Sequence, residues 1–355
     1  IYWFVNSNTG DYVIEYDTIS DSSTIILTDT TANVLNFNPD YLITGVGVIV
    51  DTDSNKRILV WTDGINPVRS ININTAKGYS ANGFNDSQIS LAKAPPLYPP
   101  TMVLGTTDTE QENNLLNRFL RFSYRYKYAD GEVSAFSPFT ETAFSPKNFN
   151  YDYSISSNES MENQYNTVDI SFNTGVSEVV GSDILMKESS SSNVSLVQSF
   201  NKEEENWGNG ETKTFTFSNN KISTVLPSDQ LSRLYDAVPL SAKALELIGN
   251  RIVLGNYVEG YNIEDASGNR IKIDFSVEVL STSVPSGQPR ATLKSNRGYE
   301  VGIVYLDDYG RMTTVLTSPT NTTHISNGNC VDQNKLRVTI ENEAPSWATK
   351  YRFFL

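Results

Sequence analysis

The chain of 355 residues carries one cysteine, Cys330, and one histidine, His324. A lone thiol excludes an internal disulfide framework and any multi-thiolate metal site, so stability has to come from packing. A lone imidazole excludes two-histidine metal motifs and leaves a single imidazole base. Charge is scarce, at 19% of residues, and lopsided: 27 basic against 41 acidic side chains give a formal net charge of −14. Gripping phosphates by bulk attraction needs a lysine and arginine surface that releases counterions, so a sequence-reading DNA binder is not expected. Long hydrophobic runs are missing as well. The longest strongly apolar stretch, residues 41–50, is far shorter than the roughly 18 to 20 residues that cross a bilayer, and no basic start precedes a signal-like core. No membrane insertion by this segment is expected.

What the chain does have is aromatic and polar: 19 Tyr and 16 Phe amid recurrent Thr, Ser and Asn, the profile of extended β-structure with polar loops. The most informative stretch is residues 57–73. The run Ile58, Leu59, Val60, Trp61 reads as a buried strand, Asp63-Gly64 and Asn66-Pro67 supply turn chemistry, and Ile71 and Ile73 alternate with polar residues as a second strand. Trp61-Thr62-Asp63-Gly64 followed by Asn66-Pro67 also resembles the blade signature of propellers with Tyr-Trp-Thr-Asp repeats. The expected fold is all-β: a propeller-like antiparallel sheet portion, two fibronectin type III-like β-sandwiches and a few short helices.

Residues 1–95 read as a propeller-like β-meander, with strand patterns at 11–16, 24–27 and 43–50 punctuated by Asn, Asp and Gly. Four prolines within residues 94–100 remove ladder donors and favour an extended linker, so a boundary is placed there. Residues 96–220 are expected to form the first sandwich, opening on a helix over 108–120 with Thr107 or Asp108 as N-cap. Residues 221–275 read as a helical connector, with short helices at 228–239 and 241–248 and the second closed by Gly249-Asn250, and then a return strand to the propeller-like body. Residues 276–355 are expected to form the second sandwich, which is expected to stop before its last strands. Two internal comparisons support the duplication. Residues 121–138 and 299–319 share the order strand, Asp and Gly turn, strand, Ser-Pro; downstream, 166–172 with 181–187 match 334–340 with 348–353. Because strand-like sequence begins at Ile1 and ends at Leu355, the segment is expected to be a window on a longer polypeptide.

Residues 60–73, 124–138, 235–239, 249–257 and 304–311, taken in that order, resemble the muzzle or nozzle proteins of crAss-like bacteriophage tails. The resemblance implies a non-enzymatic structural protein of the virion, located in the tail of a short-tailed phage. It implies self-assembly into a ring, in related nozzles a hexamer, together with other tail proteins; the ring retains genomic double-stranded DNA and forms the channel for its ejection. It carries no catalytic, cofactor or metal residues. An acidic wall suits passage of DNA without sequence-specific binding, because it repels the polyanion. Two alternatives stand beside this reading: a surface protein that binds or cleaves carbohydrate, and an adaptor for tail fibres.

The remaining candidates have ordinary structural accounts. His324 and Cys330 lie six positions apart in a loop-like Gly and Asn-rich stretch, the cysteine expected to be buried, but nearness in sequence does not make a catalytic pair. Asp51, Asp53 and Asn55 have calcium-loop spacing without the sharp-turn Gly or the closing Glu, as a polar hairpin tip does. Glu203, Glu204 and Glu205 before Trp207 suggest a sugar site or a solvated acidic loop. Trp61 and Asp63 read as core and turn former. Tyr124, Tyr126 and Tyr128 share one face of their strand and are expected at a subunit contact or along a sandwich flank. No glycine-flanked nucleophilic serine appears. No site residue, cofactor or metal is therefore assigned.

Overall fold

The computed structural model describes residues 1–355 except 31–33, 52–55, 80–83, 109–111, 147–149, 159–160, 220–222, 232–234, 250 and 284–291. It forms two compact units, Ile1–Val258 and Glu259–Leu355.

The first unit begins with strands β1 (Tyr2–Ser7), β2 (Gly10–Asp17) and β3 (Ser22–Asp29), paired antiparallel in sequence order. Register alternation sends Phe4, Val13 and Leu27 to one face and Trp3, Ile14 and Ile25 to the other. A second meander follows, of β4 (Gly45–Asp51), β5 (Lys56–Thr62) and β6 (Arg69–Asn72). Leu59 and Trp61 of β5 face the first sheet, with the Trp61 ring 5.4 Å from that of Phe4. Val60 and Ile58 point the opposite way, into a second core with Ala242 and Leu245. Strand β5 is thus covered on both sides, which is why residues 58–61 form an unbroken apolar run where a one-sided strand would alternate. The second strand ends earlier than the sequence pattern predicts. The Asn72 side chain accepts from Asn74 N–H, and Ile73 opens the one-turn helix α1 (Ile73–Ala76) while still buried in the first core. Helix α2 (Asp86–Ile89) is set by a capping box between Asn85 and Gln88.

A sandwich comes next, from β7 (Thr101–Gly105), β8 (Leu120–Tyr128), the small hairpin β9 (Tyr151–Asp152) and β10 (Ser157–Asn158), β11 (Thr167–Asn173), β12 (Val179–Glu188), β13 (Val194–Asn201), β14 (Thr212–Phe217) and β15 (Thr224–Val225). The sheets β14-β11-β7 and β15-β13-β12-β8 bury Val168, Ile170, Phe172 and Phe217 against Phe122, Tyr124, Ile184 and Met186. The outer face of the four-stranded sheet is covered in turn. Leu185 and Val194 pack there with Phe136, Phe139, Leu226 and Leu231, the last from the one-turn helix α3 (Ser228–Leu231).

Two helix expectations fail for identifiable reasons. Residues 112–119 form turns: Asn113 Oδ1 accepts Leu115 N–H and Asn113 Nδ2 donates to Asn163 O, so the asparagine competes with the helix ladder while Leu115 still enters the core. Residues 241–248, rich in good helix formers, are instead β16 (Ser241–Ile248), paired with β17 (Arg251–Val258). Gly249, with φ 59°, opens the hairpin turn and caps no helix. The hairpin lies on the middle sheet, where a Cβ on Gly45 or Gly47 would come within 2.7 to 2.8 Å of Leu245 or Leu247. Pairing and close stacking override local propensity. Of the helix expected over 228–239, only α3 is helical among the described residues.

The second unit contains β18 (Phe275–Thr282), β19 (Arg297–Glu300), β20 (Gly302–Leu306), β21 (Thr322–Ile325), β22 (Gln333–Ile340) and β23 (Lys350–Phe354). Its core joins Phe275, Val277, Leu336, Val338 and Ile340 to Val301, Ile303, Tyr305 and Phe353. The pairings repeat those of the first sandwich: β18 with β22 as β7 with β11, and β20 with β23 as β8 with β12. The hairpin likeness holds at atomic detail. Tyr126 N–H donates to Ser134 Oγ at 3.0 Å and Tyr305 N–H to Thr313 Oγ1 at 3.3 Å, eight residues apart in each case. Ser134 and Thr313 return their own N–H groups to Tyr126 O and Tyr305 O. Both turns use a glycine of positive φ, Gly131 at 88° and Gly310 at 76°. Ser137 then occupies the place of Leu316, so the second Ser-Pro falls later in its arm than the sequence match implies.

Candidate functional site

The residues singled out in sequence are dispersed. His324 sits exposed on β21 opposite Gly298, a strand position and not a loop. Cys330 is exposed, against the expected burial, because it follows a short 3-10 turn of Asn and Gly with no apolar side chain to cover it. The two share no hydrogen bond among the described residues. Asp51 closes β4 opposite Lys56, while Asp53 and Asn55 lie outside the described residues. Glu203, Glu204 and Glu205 are exposed in a turn. Trp207 packs its ring against Phe200 and Phe172, at 5.0 and 5.8 Å, with the Lys213 ammonium over it. It closes the end of the sandwich core and offers no open platform beside those carboxylates.

Trp61 is 1% exposed, and Asp63 accepts from Ile65 N–H, Asn66 N–H and Asn66 Nδ2, as a turn former does. The tyrosines correct their expectation. Tyr124 and Tyr126 face inward, edge to face at 5.7 Å, with Tyr124 also 5.8 Å from Phe172; they pack in the sandwich core and not along its flank. Burial pushes both phenols up from their ordinary value, since the apolar surroundings disfavour a phenolate. Tyr128 donates its hydroxyl to Ala94 O at 2.7 Å and so ties the sandwich to the proline-rich segment.

Polar groups do converge at a place the sequence gives no sign of. A half-open cavity of about 140 Å³ is lined from β6 and α1, from α2, from Lys93, from the end of β8, and from Ser177 and Glu178. Lys93 is buried and held by its ammonium and its N–H: the ammonium bridges Asp130 at 2.5 Å and Ser90 O at 3.2 Å, and the N–H donates to Asp236. Glu178 accepts from Ser177 Oγ through Oε1, but its Oε2 is buried without a hydrogen-bond partner. Tyr79 stands at the rim, its phenol held up by burial first and then by the carboxylates of Glu178 and Asp130. No sequence signal marks this site, because its residues come from five separate segments and none belongs to a spaced motif. A second polar cluster is structural: Arg125 pairs with Asp183 at 2.9 Å behind β8 and is completed by Gln230 and Ser199.

Among the described residues no group of three or more His, Cys, Asp or Glu side chains is placed to hold a metal ion, and no helix is long and apolar enough to cross a membrane. No curated protein matches the chain. The family model described as Crassvirus muzzle protein matches residues 1–179, just over half of the sequence. The match runs through both meanders and into the first sandwich, across the motif at 57–73 and the hairpin at 121–138. The chain therefore belongs to the Crassvirus muzzle protein family, structural components of the phage virion tail.

Proposed function

We propose that copies of this chain assemble into a ring, six in number, at the end of a short phage tail, where the ring retains packaged DNA and forms the channel for its ejection. The observation that carries this reading is the family match over residues 1–179. Two physical features support it. A formal charge of −14 per copy gives the assembly an overall repulsion toward DNA, which carries about one charge per 1.7 Å of duplex, so the polymer slides where a basic wall would hold it. The body is also built from sheets stacked face to face. The sheet β1-β2-β3, the sheet β4-β5-β6 and the hairpin β16-β17 share two successive cores, as neighbouring blades of a propeller do, and such an arrangement resists load through many parallel contacts.

Native mass spectrometry and negative-stain imaging of the protein, alone and mixed with tail components, test the assembly. A six-membered ring is expected; a monomer under both conditions overturns it. A virion map separates the nozzle from a fibre adaptor by location, since the nozzle surrounds the tail axis and an adaptor lies beside it.

A further inference from the structure

From the open side of the second unit, where among the described residues β22 and β23 each lack a neighbour that β11 and β12 have, we infer a docking site for a two-stranded β-hairpin whose inward positions are apolar and aromatic. The inference does not depend on ring assembly.

The first sandwich shows what covers such a side. There β11 is paired on one edge by β7 and on the other by β14, and β12 is paired by β8 and by β13. Phe200 of β13 and Phe217 of β14 pack against the core, their rings 5.8 Å from Phe172 and 5.1 Å from Phe122. Beside them Val168, Ile170, Phe172 and Ile184 are at most 3% exposed. In the second unit β22 pairs with β18 alone and β23 with β20 alone among the described residues. By the sequence match of 166–172 to 334–340, Leu336, Val338 and Ile340 stand in the places of Val168, Ile170 and Phe172, yet all three are only half-buried. By register, Tyr351 lies opposite Tyr305 as Ser182 lies opposite Tyr126; Ser182 is 1% exposed and Tyr351 58%. The Tyr351 ring stands edge to face with that of Phe353, which packs on the core, at 5.5 Å. The apolar surface therefore runs from the core into solvent along these two strands.

Two strand edges beside a strip of half-buried apolar side chains fit added strands, because the backbone ladder supplies affinity and the alternating inward positions select side chains. The chemistry of the partner follows from its counterpart. One strand, in the place of β14, sets apolar residues opposite Leu336 and Val338, as Phe217 and Phe215 stand opposite Val168 and Ile170. The other, in the place of β13, sets one opposite Tyr351, as Phe200 stands opposite Ser182. Outward positions are polar, as Thr212, Thr214 and Thr216 are in β14. A second copy of this chain has its β13–β14 hairpin engaged in its own first sandwich, so the docked hairpin is drawn from polypeptide outside residues 1–355.

The test is hydrogen exchange on the full 355-residue chain, with a synthetic peptide of residues 193–218, the β13–β14 hairpin, as the probe. Alternate amides within residues 335–340 and 351–354 are expected to slow by about tenfold or more at saturation, because every second N–H of an edge strand faces the incoming neighbour. The same peptide carrying Phe200→Ser, Phe215→Ser and Phe217→Ser is expected to leave them unchanged. In the protein, Tyr351→Asp places a charge where the hairpin covers the strand and is expected to weaken the peptide by about tenfold or more, with an unchanged thermal melt establishing that the variant remains folded. The proposal is overturned if the peptide slows no amide of β22 or β23, if the serine peptide slows them equally, or if folded Tyr351→Asp binds the peptide as the parent does. A response confined to residues 167–173 also overturns it, by placing the peptide in the first sandwich. Protection of β22 and β23 that rises with protein concentration without peptide assigns the site to a second copy and overturns the choice of partner.

Discussion

The hairpin built on β8 and the one built on β20 share a skeleton but differ in what they do with their outer face and their turn. In each, the outgoing strand pairs with a later strand on one edge, and its return arm substitutes a hydroxyl for a carbonyl acceptor on the other. Behind β8 the buried outer position is Arg125, paired with Asp183 directly across the strand pair. The corresponding residue of β20 is Val304, 1% exposed, which needs no partner. The turns diverge too. Asp130 reaches outward to Lys93, whereas Asp307 folds onto its own loop, accepting from Tyr309 N–H, Arg311 N–H and Arg311 Nε, with the Tyr261 hydroxyl on the same carboxylate. One scaffold thus serves an ionic and an apolar solution to the same burial problem, and the backbone pattern, not the side-chain chemistry, is the common element.

The largest effect should come from breaking the ionic solution. Arg125→Ala leaves Asp183 buried without its partner and is expected to cost about 3–5 kcal/mol, whereas Arg125→Met with Asp183→Leu, which imitates the apolar hairpin, should lie near the parent or above it. Urea unfolding of the two variants decides this; equal losses would mean that the pair is not what holds that face. Next in size is the shared turn. Gly131→Ala and Gly310→Ala both force a Cβ into positive φ and should each cost about 1–2 kcal/mol. The Cβ at Gly131 meets only the movable Lys56 Nζ, so strain accounts for its cost. A large inequality between the two would break the structural equivalence.

Smaller again is the hydroxyl substitution. Ser134→Ala and Thr313→Val each remove the acceptor for a part-buried hydrogen bond from a backbone N–H, at about 1 kcal/mol. Hydrogen exchange at the Tyr126 and Tyr305 amides should accelerate in the respective variant only. The smallest effect is a pH dependence peculiar to the second turn. Asp308 has its carboxyl held below the ordinary value by the hydrogen bond from Lys350, while the first hairpin has Ala129 in its place. A depressed folded value contributes stability that is present above the unfolded pKa of about 4 and lost as pH falls through the folded value. Asp308→Asn should therefore lower the melting temperature slightly at neutral pH and converge with the parent in acid. A difference that persists below the folded value would assign the effect to packing.

Much of this architecture was readable from residue order alone. The run 58–61 announced a buried strand, Asp63-Gly64 its turn, and the likeness of 121–138 to 299–319 a hairpin used twice. The failures share one cause. Residues 241–248 have the composition of a helix, and Asn72 and Asn113 look like any polar loop residue, until the neighbours that pair, cap or compete with them are in place. The cavity was invisible for a related reason: Lys93, Asp130 and Glu178 acquire meaning only through their separation in space.

Sequence by itself therefore determined the class of this protein: sheet-forming, acidic, without internal disulfides, and with one hairpin pattern used twice, because alternation, turn chemistry and composition act over a few residues and are written locally. Tertiary structure alone decided that β5 is covered on both faces, that the tyrosines of β8 lie inside, that one hairpin hides an ion pair and the other a valine, and that Glu178 Oε2 is buried without a hydrogen-bond partner. Burial and hydrogen-bond satisfaction depend on what arrives from distant segments, and a linear reading does not contain those distances.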